Sequence, residues 1–96
     1  EINADAAIGN NNVINTKALI EHECKVGDHN HLSTNSVING NVIVGNSVFL
    51  GSSSVCNGQL KIGSNAIIGS GSVIIKDIPE KVTVVGVPAR VIKRRD

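Results

Sequence analysis

Apolar residues recur at every sixth position along most of the chain. From Ile2 to Ile74, thirteen consecutive positions of this series are apolar, without one insertion. The series reads Ile2, Ile8, Ile14, Ile20, Val26, Leu32, Ile38, Val44, Leu50, Cys56, Ile62, Ile68 and Ile74. Self-similarity at a fixed period is the signature of a repeat architecture. The sequence therefore predicts a repeat protein built from hexapeptides.

A second period lies over the first. Glycine follows the apolar position every eighteen residues, at Gly9, Gly27, Gly45 and Gly63, so three hexapeptides make one coil. The residue two before the apolar position is mostly small, as a crowded interior corner requires; examples are Ala6, Ala18, Cys24, Ser36, Ser54, Ala66 and Ser72. Exceptions to this rule include Asn12, Asn30 and Leu60.

Each hexapeptide is predicted to hold one short strand and one corner. Alternation along the strand points the apolar and the small residue inward and their neighbours outward. Coils stacked about 4.8 Å apart then form three parallel sheets around a thin aliphatic core. The expected fold is all-β, a triangular parallel β-helix of about four coils of eighteen residues.

Composition supports this fold and narrows the function. The chain has 96 residues, a single aromatic residue (Phe49) and a net charge of +1. Such a balance argues against a nucleic-acid or membrane-surface role. No signal peptide or apolar run long enough to span a bilayer is recognisable, and two cysteines are too few for a disulfide framework, so a cytoplasmic protein is expected. Because the chain opens on polar "EINADA" without a Met, we expect a part of a longer protein.

Two of the three outer faces carry apolar residues. The first face presents Leu19, Val37, Val55 and Val73, the second Ala7, Lys25, Ile43 and Lys61, and the third Val13, His31, Phe49 and Ile67. Rows of exposed aliphatic residues mark an interface. Since the two apolar faces differ, the contact is expected to be heterologous and to close into a homotrimer. Phe49 is expected to face a neighbouring chain rather than the core.

All three histidines lie in one segment, "IEHECKVGDHNH", from Ile20 to His31. The period places His22 and Glu23 at the corner after the first face, whereas Asn15 and His31 point outward from the third. These two groups lie on opposite sides of one prism, roughly 10 Å or more apart. They are expected to meet only between subunits.

The repeat from Ile2 to Ile74 and the tail "GVPARVIKRR" resemble the hexapeptide-repeat acyltransferases. The resemblance implies a left-handed parallel β-helix, although the general rule for parallel crossovers favours the right-handed form. We expect the β-helix acyltransferase domain at residues 1–78. Residues 79–96, after an exit at Pro79, are expected to form a C-terminal extension of strand, turn and short terminal segment. The N-terminal sugar-nucleotide-binding domain of similar enzymes is expected to be absent from this chain.

The segment "NTKALIEHECKVGDHNH" is similar to the active-site segment of bacterial acetyltransferases that modify sialic acid or a nucleotide-linked amino sugar. The resemblance implies that His22 is the general base and Glu23 orients it. It further implies that Asn15 contacts the substrate and that His31 lines the acetyl-CoA cleft. The predicted activity is acetyl transfer from acetyl-CoA to an amino or hydroxyl group of a sugar, directly within a ternary complex.

The chemistry suits these residue types. An imidazole can take the proton of the attacking nucleophile, and a neighbouring carboxylate stabilises the imidazolium that forms. Gly40, eighteen residues after His22, lets a pantetheine arm approach the backbone, and its N–H is a candidate oxyanion donor. The resemblance also implies that Ser52 and Ser70, at the opposite corner, bind the cofactor. Arg90 or Lys93 could lie near the CoA phosphates, and Cys24 is expected to point inward, away from the chemistry.

Two alternatives stay open. The γ-class carbonic anhydrases resemble this repeat and hold zinc through histidines at trimer interfaces, so His22 and His31 could be metal ligands. A non-catalytic β-solenoid scaffold is the other alternative, because a repeat by itself says nothing about catalysis. The acetyltransferase prediction needs no metal, and acetyl-CoA binding or metal analysis would separate the three.

Overall fold

Short β-strands are the regular elements of the chain. The computed structural model describes residues 1–96, and twelve strands of two residues are followed by two longer ones. The strands are β1 (Ala7–Ile8), β2 (Val13–Ile14), β3 (Leu19–Ile20), β4 (Lys25–Val26), β5 (His31–Leu32), β6 (Val37–Ile38), β7 (Ile43–Val44), β8 (Phe49–Leu50), β9 (Val55–Cys56), β10 (Lys61–Ile62), β11 (Ile67–Ile68), β12 (Val73–Ile74), β13 (Val82–Val85) and β14 (Arg90–Arg94). No helix capable of crossing a bilayer is found. The all-β prediction is confirmed.

The corners are made by residues in the left-handed backbone conformation. From Asp5 to Asn65 every sixth residue has φ between 57° and 66°, three positions before each apolar residue. Four of these residues are asparagines, namely Asn11, Asn35, Asn41 and Asn65. Asparagine accepts this conformation more readily than most residues with a side chain. Equally spaced sharp corners bend the chain into a triangle.

Each two-residue strand pairs in parallel with the strand one coil further on. The three sheets have the orders β1-β4-β7-β10, β3-β6-β9-β12 and β2-β5-β8-β11-β13-β14. Within the second sheet, Leu19 pairs with Val37 and Val37 with Val55, steps of eighteen residues. The predicted left-handed parallel β-helix of about four coils is confirmed.

The core is the column of apolar positions that the period predicts. Its members from Ile20 to Ile74 are buried, whereas Ile2 in the first coil is 49% exposed. Ile8 and Ile14 are half-buried because no further coil covers them on one side. Each coil contributes a single layer of apolar side chains to the core. The stability of the fold therefore depends on the stacking of every coil on its neighbours.

Asn12 and Asn30 break the rule of small residues at the interior corner, and their hydrogen bonds explain why. The Asn30 side chain is buried, donates from Nδ2 to the Gly45 carbonyl (2.9 Å) and accepts from the Val48 N–H at Oδ1 (2.7 Å). Asn12 makes the equivalent bonds to Gly27 O (2.8 Å) and to the Asn30 N–H (2.8 Å). The two amides therefore tie consecutive coils together from inside.

We predict that Asn30→Ala lowers the free energy of unfolding by about 2–4 kcal/mol, because each buried group left without a partner costs about 1–3 kcal/mol. Urea denaturation would measure the change. Asn12→Ala is the matched control: its site is half-buried, so water replaces part of the lost bonding. An Asn30→Ala variant no less stable than Asn12→Ala would contradict this account.

The C-terminal segment continues the winding and then reverses. β13 adds in parallel to β11, with Thr83 opposite Ile67, while β14 pairs antiparallel with β13. The Arg95 guanidinium donates to Thr83 Oγ1 (2.9 Å) and to the Asn65 carbonyl, which ties the terminus to the preceding coil. All five residues of β14 are exposed. The solenoid therefore ends in an exposed antiparallel edge strand.

Candidate active site

His22 and Glu23 form a polar pair at the corner between β3 and β4. The His22 Nδ1 atom lies 3.6 Å from Glu23 Oε1, and the two side chains are 59% and 60% exposed. Glu23 is the left-handed residue of this corner (φ 61°), and its N–H donates to the Ala4 carbonyl of the preceding coil. The corner thus holds a solvent-accessible imidazole whose Nδ1 faces a carboxylate and whose Nε2 is left for chemistry.

Two glycines continue the corner column beyond His22. The imidazole lies over Gly40, one coil further on, and Gly58 lies beyond Gly40. The Gly40 carbonyl accepts from the Gln59 N–H, whereas the Gly40 N–H donates to no acceptor in the chain. The column is therefore a strip of open backbone with an unpaired amide beside the imidazole.

Asn15 and His31 form a second polar group, on the third face. Asn15 Nδ2 lies 3.2 Å from His31 Nε2, and the two residues sit on adjacent coils. The His31 ring also contacts Phe49, with ring centroids 5.2 Å apart. The structure thus brings these two predicted site residues together, apart from the corner that carries His22 and Glu23.

Ser52 and Ser70 occupy a third location, the corner that follows the third face. Both are exposed, and the Ser52 carbonyl accepts from the Gly71 N–H one coil on. Thr34 precedes Ser52 in the same column, and its carbonyl accepts from Ser53. One chain therefore distributes the predicted site residues over three separate places on the prism.

The cysteines are structural. Both Cys24 and Cys56 are buried and unpaired, and the Cys24 thiol donates to the Asn39 carbonyl (3.1 Å). Burial raises the pKa of the Cys24 thiol. Burial also raises the pKa of Cys56 to about 12. Only a thiolate is an effective nucleophile, so the inward position expected for Cys24 is confirmed and its thiol is not poised to carry an acyl group.

A pocket that the sequence did not reveal lies at the C-terminal end of the His22 corner. It has a volume of about 410 Å³ and lies between the last coil and the start of β14. Its lining combines apolar walls with two cations and one acid, namely Ile75, Lys76, Asp77, Ile78, Pro88, Ala89, Arg90 and Val91. Lys76 follows Gly58 by eighteen residues, and that spacing was the signal that could have identified it.

The outward apolar residues differ between the faces. On the third face Val13, Phe49 and Ile67 are 47%, 42% and 40% exposed, whereas the four residues of the first face are half-buried. The side chain of Phe49 thus lies outside the core, as expected. Within one chain no three His, Cys, Asp or Glu side chains converge as metal ligands would.

Comparisons with known proteins agree with this fold. No model of a protein family and no curated protein sequence matches the chain. Among solved structures, a histidine-to-asparagine variant of perosamine N-acetyltransferase from Caulobacter crescentus, in complex with CoA and GDP-perosamine, is 38% identical with a TM-score of 0.94. The match covers 96% of this chain and 44% of that protein.

Two further structures are similar at lower identity. Soybean serine acetyltransferase is 27% identical (TM-score 0.83), with 91% of this chain and 40% of the enzyme covered. The hexapeptide-repeat-containing acetyltransferase VCA0836 from Vibrio cholerae shares the fold at 20% identity (TM-score 0.88), with 95% and 64% covered. This chain is a left-handed β-helix of the hexapeptide-repeat acetyltransferases. Its identity to the perosamine N-acetyltransferase is higher than its identity to the serine acetyltransferase.

Proposed function

We propose that the chain is the acyl-transfer part of an enzyme that moves the acetyl group of acetyl-CoA to a nucleotide-linked amino sugar or a sialic acid. The His22–Glu23 pair beside the open backbone of Gly40 carries this proposal. The 38% identity to a sugar N-acetyltransferase crystallised with CoA and GDP-perosamine supports it. The chain spans less than half the length of that enzyme. The identity of the acceptor sugar is therefore also part of what we propose.

His22 is proposed as the general base. Because its Nδ1 faces Glu23, the free Nε2 takes a proton from the acceptor amine or hydroxyl as that group attacks the thioester carbonyl carbon. The new C–N or C–O bond forms, the C–S bond breaks, and the imidazolium returns the proton to the departing CoA thiolate. Glu23 fixes the ring tautomer and stabilises the imidazolium.

Gly40 is proposed to stabilise the developing oxyanion. The Gly40 N–H has no acceptor within the chain. The His22 imidazole lies close to Gly40. A preorganised donor of this kind is worth about 3–4 kcal/mol of barrier in other acyl-transfer enzymes. The acetyl group would therefore lie between the His22 ring and this amide.

The same column provides a path for the cofactor. Three coil steps separate His22 from Lys76, roughly 14 Å at about 4.8 Å per coil, a length that suits an extended pantetheine arm. The open backbone of Gly40 and Gly58 would line the arm, and the pocket with Lys76 and Arg90 would take the CoA phosphates. Ser52 and Ser70 remain candidate cofactor contacts from a neighbouring subunit.

We predict that the double variant Lys76→Ala, Arg90→Ala raises KM for acetyl-CoA by about 10-fold or more with little change in kcat, because two charge-assisted contacts to phosphate are removed. Steady-state kinetics with acetyl-CoA would measure this. Lys25→Ala, Lys61→Ala is the control, since it removes the same number of exposed cations from the second face. Equal effects in both double variants would remove the pocket from the cofactor site.

The active centre is proposed to lie between subunits of a homotrimer. Asn15 and His31 on the third face of one subunit would meet His22 and Glu23 at the corner of the next. The exposed apolar residues of the third face, with Phe49 at their centre, support an interface there. Asn15 would contact the acceptor, and His31 would line the acetyl-CoA cleft.

The decisive experiment uses the full-length protein. Release of CoA thiol is measured with acetyl-CoA and, in separate reactions, a nucleotide-linked 4-amino sugar, sialic acid or serine. We expect acetyl-CoA binding and CoA release with one of the sugars. Absence of acetyl-CoA binding would favour a non-catalytic solenoid, whereas stoichiometric zinc in the purified protein would favour the carbonic-anhydrase-like alternative.

A further inference from the structure

We propose that Gly40 is a positioning residue, whose missing side chain leaves the space in which the His22 imidazole lies. The inference rests on the proposed function, because it takes the His22 ring to be the general base. It assigns to Gly40 a role distinct from that of its N–H, because it concerns the α-carbon and the placement of the base.

The His22 ring lies close above the position from which a Gly40 side chain would extend. A Cβ atom built on Gly40 would lie 2.9 Å from both Cε1 and Nε2 of His22 and 3.4 Å from Nδ1. Real Cβ atoms are hardly ever closer than 3.0 Å to another heavy atom. The catalytic edge of the imidazole thus occupies the volume that any side chain at this position would fill, and a methyl group there would displace Nε2.

The backbone gives no other reason for glycine at this position. Glycine is usually selected where φ is positive, but the left-handed residue of this corner is Asn41, with φ 61°. Gly40 is not among the residues of positive φ, unlike Gly71 and Gly86. An alanine can therefore adopt the conformation of Gly40, and the space above its α-carbon is the property that only glycine supplies.

The ring is consequently held from two sides. Glu23 faces Nδ1 at 3.6 Å, and the edge formed by Cε1 and Nε2 lies in the space that a side chain on Gly40 would fill. Since His22 is 59% exposed, few other contacts restrict its rotamer. Gly40 thus fixes where Nε2 stands relative to the N–H of the same residue, the proposed oxyanion donor.

The test is Gly40→Ala in the full-length protein. We expect kcat to fall by about 10- to 100-fold, as for a misplaced catalytic group. In the NMR spectrum the ring resonances of His22 should shift, while those of His29, which has no assigned role, stay in place as an internal control. A raised KM with unchanged kcat, or an unshifted His22 resonance, would overturn the proposal.

A second variant separates the clash with the ring from damage to the backbone. In the His22→Ala background the added methyl has room, so Gly40→Ala should not lower Tm further. A drop in Tm as large as in the wild-type background would show that the methyl strains the corner itself and would overturn the inference. If the wild type transfers no acetyl group, the proposed function fails, yet the NMR and Tm measurements still decide the role of Gly40.

Discussion

Replacing His22 with alanine should lower kcat for acetyl transfer by about 10²- to 10⁴-fold, the usual contribution of a positioned general base. The residue is exposed, and its recorded polar contact is with the neighbouring Glu23. Its removal should therefore leave folding, assembly and acetyl-CoA affinity intact. Steady-state kinetics, sedimentation and calorimetric titration with acetyl-CoA would measure the three properties.

His29→Ala is the matched control for this experiment. His29 lies at an exposed corner of the same coil and has no assigned role, so its variant should keep wild-type kcat. Glu23→Ala should slow transfer less than His22→Ala, because it removes only the group that orients the ring. A His22→Ala enzyme as active as the His29→Ala enzyme would exclude His22 as the base.

Phe49→Glu should convert the proposed trimer into monomers and reduce activity by at least about 100-fold. Burying a carboxylate at an apolar contact costs several kcal/mol, and a trimer has three such contacts. Activity falls with assembly because half of the proposed centre would come from the neighbouring subunit. Sedimentation velocity and CoA release would be measured on the same samples.

The second face offers a close control. Ile43 occupies the same strand position as Phe49 and is 44% exposed, compared with 42% for Phe49. Ile43→Glu should therefore leave the assembly and activity intact. If it dissociates the protein as readily as Phe49→Glu, the interface does not involve the third face specifically.

Subunit mixing tests the shared centre independently. A His22→Ala chain and an Asn15→Ala chain each carry one damaged half. If the two halves belong to different subunits, co-refolded mixtures should regain activity at centres that combine the intact His22 of one chain with the intact Asn15 of the other. Mixtures as inactive as the separate variants would place both residues in one chain's own site.

Much of the fold could be predicted from the sequence because every coil must place an apolar side chain inward at the same three positions. A six-residue period fixed the inward positions, and the eighteen-residue glycine period fixed the strand pairing later found between Leu19 and Val37. Handedness came from the resemblance to a family and not from the pattern. The buried position of Cys24 also followed from its register.

Three further features could not be predicted because they depend on contacts between side chains and neighbouring coils. Asn30 looked like an exception to the small-residue rule until its bonds to neighbouring coils were visible. The sequence indicated an open backbone at Gly40, but only the structure shows that the His22 ring lies where a side chain at this position would be. The eighteen-residue spacing places Lys76 in the column of His22, but the pocket beside it also needs the return of the C-terminal segment, which that spacing does not reveal.

The reversed final strand has a consequence for solubility. The last coil of a parallel β-helix has an edge of unpaired backbone N–H and C=O groups. Strands of another chain can pair with such an edge, as they do when cross-β fibres grow. In this chain β14 runs against that direction, and Arg90, Lys93 and Arg94 on it repel an incoming copy. Strand β14 thereby opposes the parallel addition of another chain to this one of the three sheets.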